Sequence, residues 1–134
     1  MSTIVDTVIW SLAFRRDASN QNPQILEVLQ SLIRTQQVVI LGAIRQEVLS
    51  GIRHQAQFDR LRNALRAYPD TVLSIDDYEL AAEFFNTCRS RGIQGSNTDF
   101  LICAVAHRRK YQIFTTDRDF ENFQPHIPIT LILS

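Results

Sequence analysis

Apolar positions along the chain fall into short β-branched runs and longer stretches at helical spacing, and the two kinds alternate. Thr3-Ile4-Val5 is followed at once by Asp6-Thr7, which predicts a buried strand ending in an acid. Val8 to Phe14 turns helical and is closed by Arg15 and Arg16, and Asp17 to Pro23 is a polar loop. From Gln24 to Arg34, Ile25, Leu26, Val28, Leu29, Leu32 and Ile33 recur with the period of an amphipathic helix. Gln37 to Leu41 predicts a second strand ended by Gly42, and a helix from about Ala43 to Arg53 turns Ile44, Val48, Leu49 and Ile52 inward. Glu47 falls on the Ile44–Val48 side of that helix.

Gln57 to Tyr68 is helical up to Pro69-Asp70, and Thr71 to Ile75 predicts a third strand. Asp76 or Asp77 then caps a helix from Tyr78 to Arg91, which Gly92 stops. Phe100 to Ala106 is apolar without a break, so its helix is buried on every side, with Thr98 as N-cap and Asp99 in the first turn. Gln112 to Thr115 predicts a strand that ends in an acid-rich turn, and Ile129 to Leu133 forms a last strand after Pro125 and Pro128. Strands alternating with helices predict an α/β class and a single-domain α/β/α sandwich over residues 1–134, with a mostly parallel central sheet.

Composition leaves that picture intact. A chain of 134 residues with 45% hydrophobic and 21% charged residues can bury a core of its own. No apolar run approaches the ~20 residues that span a bilayer. The start Met-Ser-Thr-Ile-Val-Asp puts an acid where a secretory signal needs its apolar region, and Cys88 and Cys103 lack metal-type spacing, so a cytoplasmic setting is expected.

Charge adds one bias. Lys+Arg and Asp+Glu are both 14, which excludes the strong basic field of a nucleic-acid-coating protein. Lys110 is the only lysine, so the remaining 13 of those 14 basic residues are arginines, the side chain best shaped for bidentate phosphate or carboxylate contact. Arg15, Arg16, Arg53, Arg62 and Arg66 are candidate phosphate contacts, although solvated helix faces explain them nearly as well. Trp10 reads as core or as a dimer contact.

The acids change the picture most. In a parallel sheet Asp6 and Asp117 end strands at the same edge, where ligands bind, and the Asp99 helix opens there too. Like charges about 4 Å apart repel by roughly 1 kcal/mol in water and about 4 kcal/mol at an effective dielectric of 20, so such a cluster needs a cation. Oxygen-only ligation suits Mg²⁺ or Mn²⁺, which orient water and stabilise charge on a phosphodiester. Taken singly, Asp6 could be a turn cap, Asp99 a helix-start acid and Glu47 a surface glutamate. His54, His107 and His126 share no zinc or acid–base spacing, and no glycine-rich phosphate loop is present.

Four segments in order carry a resemblance: Ile4-Val5-Asp6-Thr7, the Gln46-Glu47-Val48-Leu49-Ser50-Gly51-Ile52 helix, Asp99 to Ala104, and Thr115-Thr116-Asp117-Arg118-Asp119-Phe120. Together they resemble the successive motifs of the PIN-domain nucleases, in particular VapC-type toxins of bacterial toxin–antitoxin pairs, over nearly the whole chain. The resemblance implies a PIN-like fold and a Mg²⁺- or Mn²⁺-dependent endoribonuclease toxin, often a homodimer, held inactive by a cognate antitoxin. An antitoxin tail would place an Arg among the carboxylates and apolar residues in a groove between helices.

By position, Asp6, Glu47, Asp99 and Asp117 would be the catalytic acids, with Asp6, Asp99 and Asp117 as metal ligands. Thr7 and Thr115 would support them, and Asp119 would stabilise the turn ahead of a core Phe120. Val8 stands where the family commonly has serine, and Cys103 where it has alanine. Two readings of other classes remain. One is a non-catalytic binding module whose acidic pocket takes a basic segment; the other is a phosphatase-like enzyme with Asp6 as nucleophile, weakened by Val8 at the position wanted for an acid–base aspartate.

Overall fold

The computed structural model describes residues 1–14 and 22–132. Four strands, β1 (Thr3–Val5), β2 (Val38–Val39), β3 (Gln112–Phe114) and β4 (Leu131–Ile132), form one sheet in the order β2-β1-β3-β4. All three pairings are parallel, with Ile4 opposite Val39 and Ile113, and Phe114 opposite Val5 and Ile132. Parallel strands need crossovers, and the helices that supply them make the α/β/α sandwich the alternation predicted. The helices are α1 (Thr7–Ala13), α2 (Pro23–Arg34), α3 (Gly42–Leu49), α4 (Gln55–Leu65), α5 (Ile75–Ser90), α6 (Asn97–Arg109) and α7 (Asp119–Phe123).

The core lies where the uninterrupted apolar run sits. Phe100 and Ile102 to Ala106 of α6 are at most 1% exposed, as are Ile4, Val5, Ile113 and Phe114 of the two central strands. Trp10 is buried too, its indole N–H donating to the Val5 carbonyl at 3.1 Å and its ring packing on Phe14 and Tyr68, so it is a core residue. Cys88 and Cys103 are buried free thiols. No helix among the described residues is long and apolar enough to cross a membrane.

Several boundaries differ from the sequence reading. Thr71 to Ile75 is not a strand: only Asp70 bridges to Ile40, and the Val72 carbonyl accepts from the Arg109 guanidinium at 2.8 Å instead of from a neighbouring strand. Ile75 already belongs to α5, whose N-cap is Ser74 and not Asp76 or Asp77. Likewise Ser96, not Thr98, caps α6. Gly42 opens α3 instead of ending a strand, and that helix stops at Leu49, with Gly51 at φ +85° in the turn beyond. The five-residue α7 was not foreseen, being too short to display a period. Arg15, Arg16 and the polar loop up to Gln21 lie outside the described residues, as does Leu133.

Candidate metal centre

Each acid of the site is placed by the end of an element. Asp6 follows β1 and is the N-cap of α1; its N–H donates to the Phe114 carbonyl at 3.0 Å, which ties the ends of the two central strands together. Asp99 is the third residue of α6. Its N–H donates to Ser96 Oγ and its Oδ2 accepts from the Ser96 N–H, both at 3.1 Å, a reciprocal capping box. Asp117 lies in the turn after β3 and Asp119 is the first residue of α7; the Asp119 N–H donates to Asp117 Oδ1 at 2.9 Å. The expected roles are therefore exchanged in part. Asp117 holds this turn, and the exposed Asp119 carboxylate is left facing the others.

Asp99, Asp117 and Asp119 each offer a carboxylate oxygen, and these three atoms lie within 4.8 Å of one another. Asp6 stands beside this triad without belonging to it. It is 6% exposed; Oδ1 accepts from the Thr7 N–H and Oδ2 from the Thr115 hydroxyl, both at 2.8 Å. Thr115 Oγ1 also accepts from the Asp117 N–H at 3.0 Å, so one buried hydroxyl links Asp6 to the turn that carries Asp117. Glu47 joins at the exposed rim, where its Oε1 accepts from Thr7 Oγ1 at 3.0 Å.

The site is electrostatically unbalanced. Burial pushes the Asp6 carboxyl up from 3.8 to about 6 against the lowering effect of its two hydrogen bonds, and the charges of Asp99 and Asp117 add to the rise. Asp99 is raised as well, by burial first, then by Asp117 and Asp119. Cys103, one turn below Asp99, is fully buried, and its thiol is pushed well above the usual range, chiefly by burial, so it serves packing and not ligation. The histidines are elsewhere: His107 packs edge-on to Phe84, and His126 pairs with Arg91 at 3.1 Å.

Of the candidate acids, Asp99 and Asp117 meet within the triad and Asp6 stands next to it, with Thr7 hydrogen-bonded to Glu47 and Thr115 joining Asp6 to Asp117. Two features go beyond the sequence-based expectation: Ser96 and Asp99 share a capping box, and Asp119 belongs to the triad. The Ser-x-x-Asp pattern 96–99 was the available signal for the first. An all-oxygen donor set without Cys or His suits a hard divalent cation and disfavours zinc.

A family model described as PIN domain matches residues 3–124. No curated protein matches the chain. Among solved structures, FitAcB from Neisseria gonorrhoeae superposes with a TM-score of 0.77 at 16% identity, covering 98% of this chain and 96% of that one. VapBC2 from Rickettsia felis, bound to a DNA fragment from their promoter, gives 0.78 at 18% identity and 98% coverage of each chain. VapBC-5 from Mycobacterium tuberculosis, a member of the VapBC family of toxin-antitoxin systems, gives 0.71 at 15% identity, covering 99% and 98%. At these identities the likeness is one of fold. With its family model matched from the first strand to the helix that follows the acid turn, the chain belongs to the PIN domain family.

Proposed function

We propose that this protein is a Mg²⁺- or Mn²⁺-dependent endoribonuclease and the toxin of a toxin–antitoxin pair, a single domain over residues 1–134 that works in the cytoplasm. The observation that carries the reading is the meeting of carboxylate oxygens of Asp99, Asp117 and Asp119 within 4.8 Å, next to a buried Asp6 whose pKa Asp99 and Asp117 help to raise. A carboxylate set of that kind is destabilised without a cation and preorganised for one. A divalent ion held there stabilises charge on a phosphodiester and activates a water for in-line attack.

The chain's own residues do the positioning. Asp99 and Asp117 each give one oxygen to a backbone N–H and keep the other for the ion. Asp6 is fixed by Thr115 and the Thr7 amide, so it would help to hold a divalent ion without rearrangement. Glu47, oriented by Thr7, stands at the open rim on the solvent side, where RNA enters.

Partners follow from surfaces away from the acids. A cavity of about 250 Å³ lined by Trp10, Phe14, Leu26, Leu29, Ile33 and Tyr68 suits the apolar residues of a cognate antitoxin, whose tail reaches the carboxylates with an Arg. Val72, Ile75 and Tyr78 are 86%, 76% and 56% exposed and offer a face to a second copy in a homodimer.

Purified protein is expected to cut RNA in Mg²⁺ or Mn²⁺ and to stop in EDTA. Undiminished cleavage by an Asp6→Ala or Asp99→Ala variant would overturn the mechanism. A toxin–antitoxin complex that cleaves as fast as the free toxin would overturn the inhibition model.

A further inference from the structure

Next to the acid triad four phenylalanines form a continuous chain of ring contacts from α5 to α7. Phe85 meets Phe100 edge-on at 5.5 Å between ring centroids, Phe100 meets Phe123 tilted at 4.6 Å, and Phe123 meets Phe120 edge-on at 5.4 Å. This chain of rings is tied to the triad through the backbone on both sides. Phe100 directly follows Asp99, and Phe120 directly follows Asp119. How closely α7 seats against α6 therefore sets how far Asp99 stands from the turn that carries Asp117 and Asp119.

One residue controls that seating. A Cβ on Gly95 would overlap Phe123 Cζ and would stand 3.0 Å from both Phe123 Cε1 and Phe100 Cε2. Phe100 is 1% exposed and Phe123 is fully buried, so neither ring has free volume to swing into. Phe123 is the last residue of a five-residue helix whose first is Asp119, so a push on the ring is relayed to the carboxylate. Gly95 has an ordinary backbone conformation among the glycines, since positive φ is confined to Gly51 and Gly92; close approach is what demands glycine here.

We propose that Gly95 is a positioning residue for the metal site: its missing side chain lets α7 close on α6 and thereby sets the gap across which Asp99, Asp117 and Asp119 share a divalent cation. The proposal rests on reading those three acids as metal ligands. It differs from a packing role alone, because it couples a buried steric contact to cation affinity.

The test compares wild type, Gly95→Ala and the double variant Gly95→Ala/Phe123→Leu, each for Mn²⁺ affinity by calorimetry and for thermal midpoint. Gly95→Ala is expected to bind Mn²⁺ about 10-fold more weakly, the scale of losses from disturbed supporting groups around metal ligands. In the double variant the shorter Leu makes room for the methyl, and affinity is expected to return to within about threefold of wild type while the midpoint stays depressed by the lost ring. Recovery of affinity without recovery of stability is what packing alone does not produce.

Wild-type affinity in Gly95→Ala, or a double variant that binds no better than the single one, overturns the proposal. Should Gly95→Ala fail to fold, the double variant decides: near-wild-type Mn²⁺ binding supports the relay, and loss of binding in a folded double variant overturns it. A wild type that takes up no Mn²⁺ overturns the metal reading itself, a result distinct from either.

Discussion

Two helices of this protein begin with Ser-x-x-Asp, and the two aspartates end in opposite circumstances. In α5, Asp77 accepts from the Ser74 N–H at 2.8 Å, and in α6, Asp99 accepts from the Ser96 N–H at 3.1 Å. Asp77 is fully buried and then takes three guanidinium hydrogen bonds: one from Arg108 at 2.6 Å and two from Arg109 at 2.7 and 3.0 Å. Those contacts, that from Arg109 foremost, hold its carboxyl well below the usual range. Asp99 faces Asp117 and Asp119 instead, and its carboxyl is raised. The same local device thus serves a finished ion cluster that fastens α5 to α6 and an unfinished one. The carboxylate that lacks its counter-charge is the one that marks the candidate site.

The largest separation between the two clusters is expected in catalysis. Asp99→Asn keeps the helix cap but removes the charge, and should lower RNA cleavage by at least ~10³-fold, about 4 kcal/mol in the barrier. Asp77→Asn should leave the cleavage rate of the folded protein unchanged. Steady-state cleavage of a labelled RNA in Mn²⁺ measures both, and equal losses in the two variants would erase the distinction.

Stability should follow the reverse order. Asp77→Ala strands two arginines that are 34% and 23% exposed, which puts the cost near the lower end for a broken buried pair, about 3 kcal/mol. Asp99→Ala removes like-charge repulsion along with a cap and should cost no more than about 1 kcal/mol. Urea unfolding in EDTA at neutral pH is the measurement.

The pH dependences should also oppose each other. The Asp6 carboxyl titrates at about 6 when folded against 3.8 as its ordinary value, so the folded state binds that proton more tightly. Its favourable contribution to the metal-free protein is therefore present at low pH and disappears as pH rises through about 6, a change of up to roughly 3 kcal/mol for two pKa units. Asp77 has the opposite sign: its contribution is present above the ordinary carboxylate range and is lost only as pH falls toward its depressed value. In urea unfolding from pH 4 to 7, Asp6→Asn should shrink the loss of stability on raising pH, the raised Asp99 carboxyl supplying the remainder, and saturating Mn²⁺ should mask it. By the same competition, wild-type Mn²⁺ affinity should fall as pH drops through about 6. A flat profile in the metal-free wild type would contradict the assignment to Asp6.

The sequence disclosed one of these clusters far better than the other. Long-range meeting of Asp6, Asp99 and Asp117 was legible because strand ends in a parallel sheet share an edge, and the unbroken run Phe100 to Ala106 gave away the buried helix between them. Asp77 was read only as a cap, since nothing local states that Arg108 and Arg109, some thirty residues on, will turn back onto it. Thr71 to Ile75 looked like a strand for a related reason: β propensity is visible locally, whereas the partner that would satisfy its carbonyls is not. The turn role expected of Asp119 rests on its place at the end of the family motif; two acids two residues apart are not told apart locally, and the backbone N–H of Asp119 in fact bonds to Asp117.

A smaller effect should come from the hydroxyl under the site. Thr115→Val keeps the shape but removes both the donor to Asp6 and the acceptor for the Asp117 N–H, leaving a part-buried amide without that partner. Mn²⁺ affinity should fall about 10-fold by calorimetry, with Thr115→Ser restoring most of it. No change in affinity would mean that Asp6 and the triad are positioned independently.

The smallest effect is expected where the two clusters share their grammar. Ser96→Ala removes the Oγ that accepts from the Asp99 N–H, while the Ser96 N–H that orients Asp99 Oδ2 is part of the backbone and survives. Stability should drop by about 1 kcal/mol, the ordinary worth of an N-cap. Mn²⁺ affinity should change by less than about threefold, because the carboxylate keeps its anchor. Ser74→Ala differs in kind: Ser74 Oγ contacts Asp77 Oδ2 at 3.3 Å and accepts from Arg108 at 3.2 Å, so its loss falls on an ion cluster already held by three guanidinium bonds. Thermal midpoints of the two variants, with and without Mn²⁺, separate these cases. A Mn²⁺-dependent shift that shrinks in Ser96→Ala but not in Ser74→Ala would show that the serine hydroxyl, and not the backbone alone, fixes the ligand.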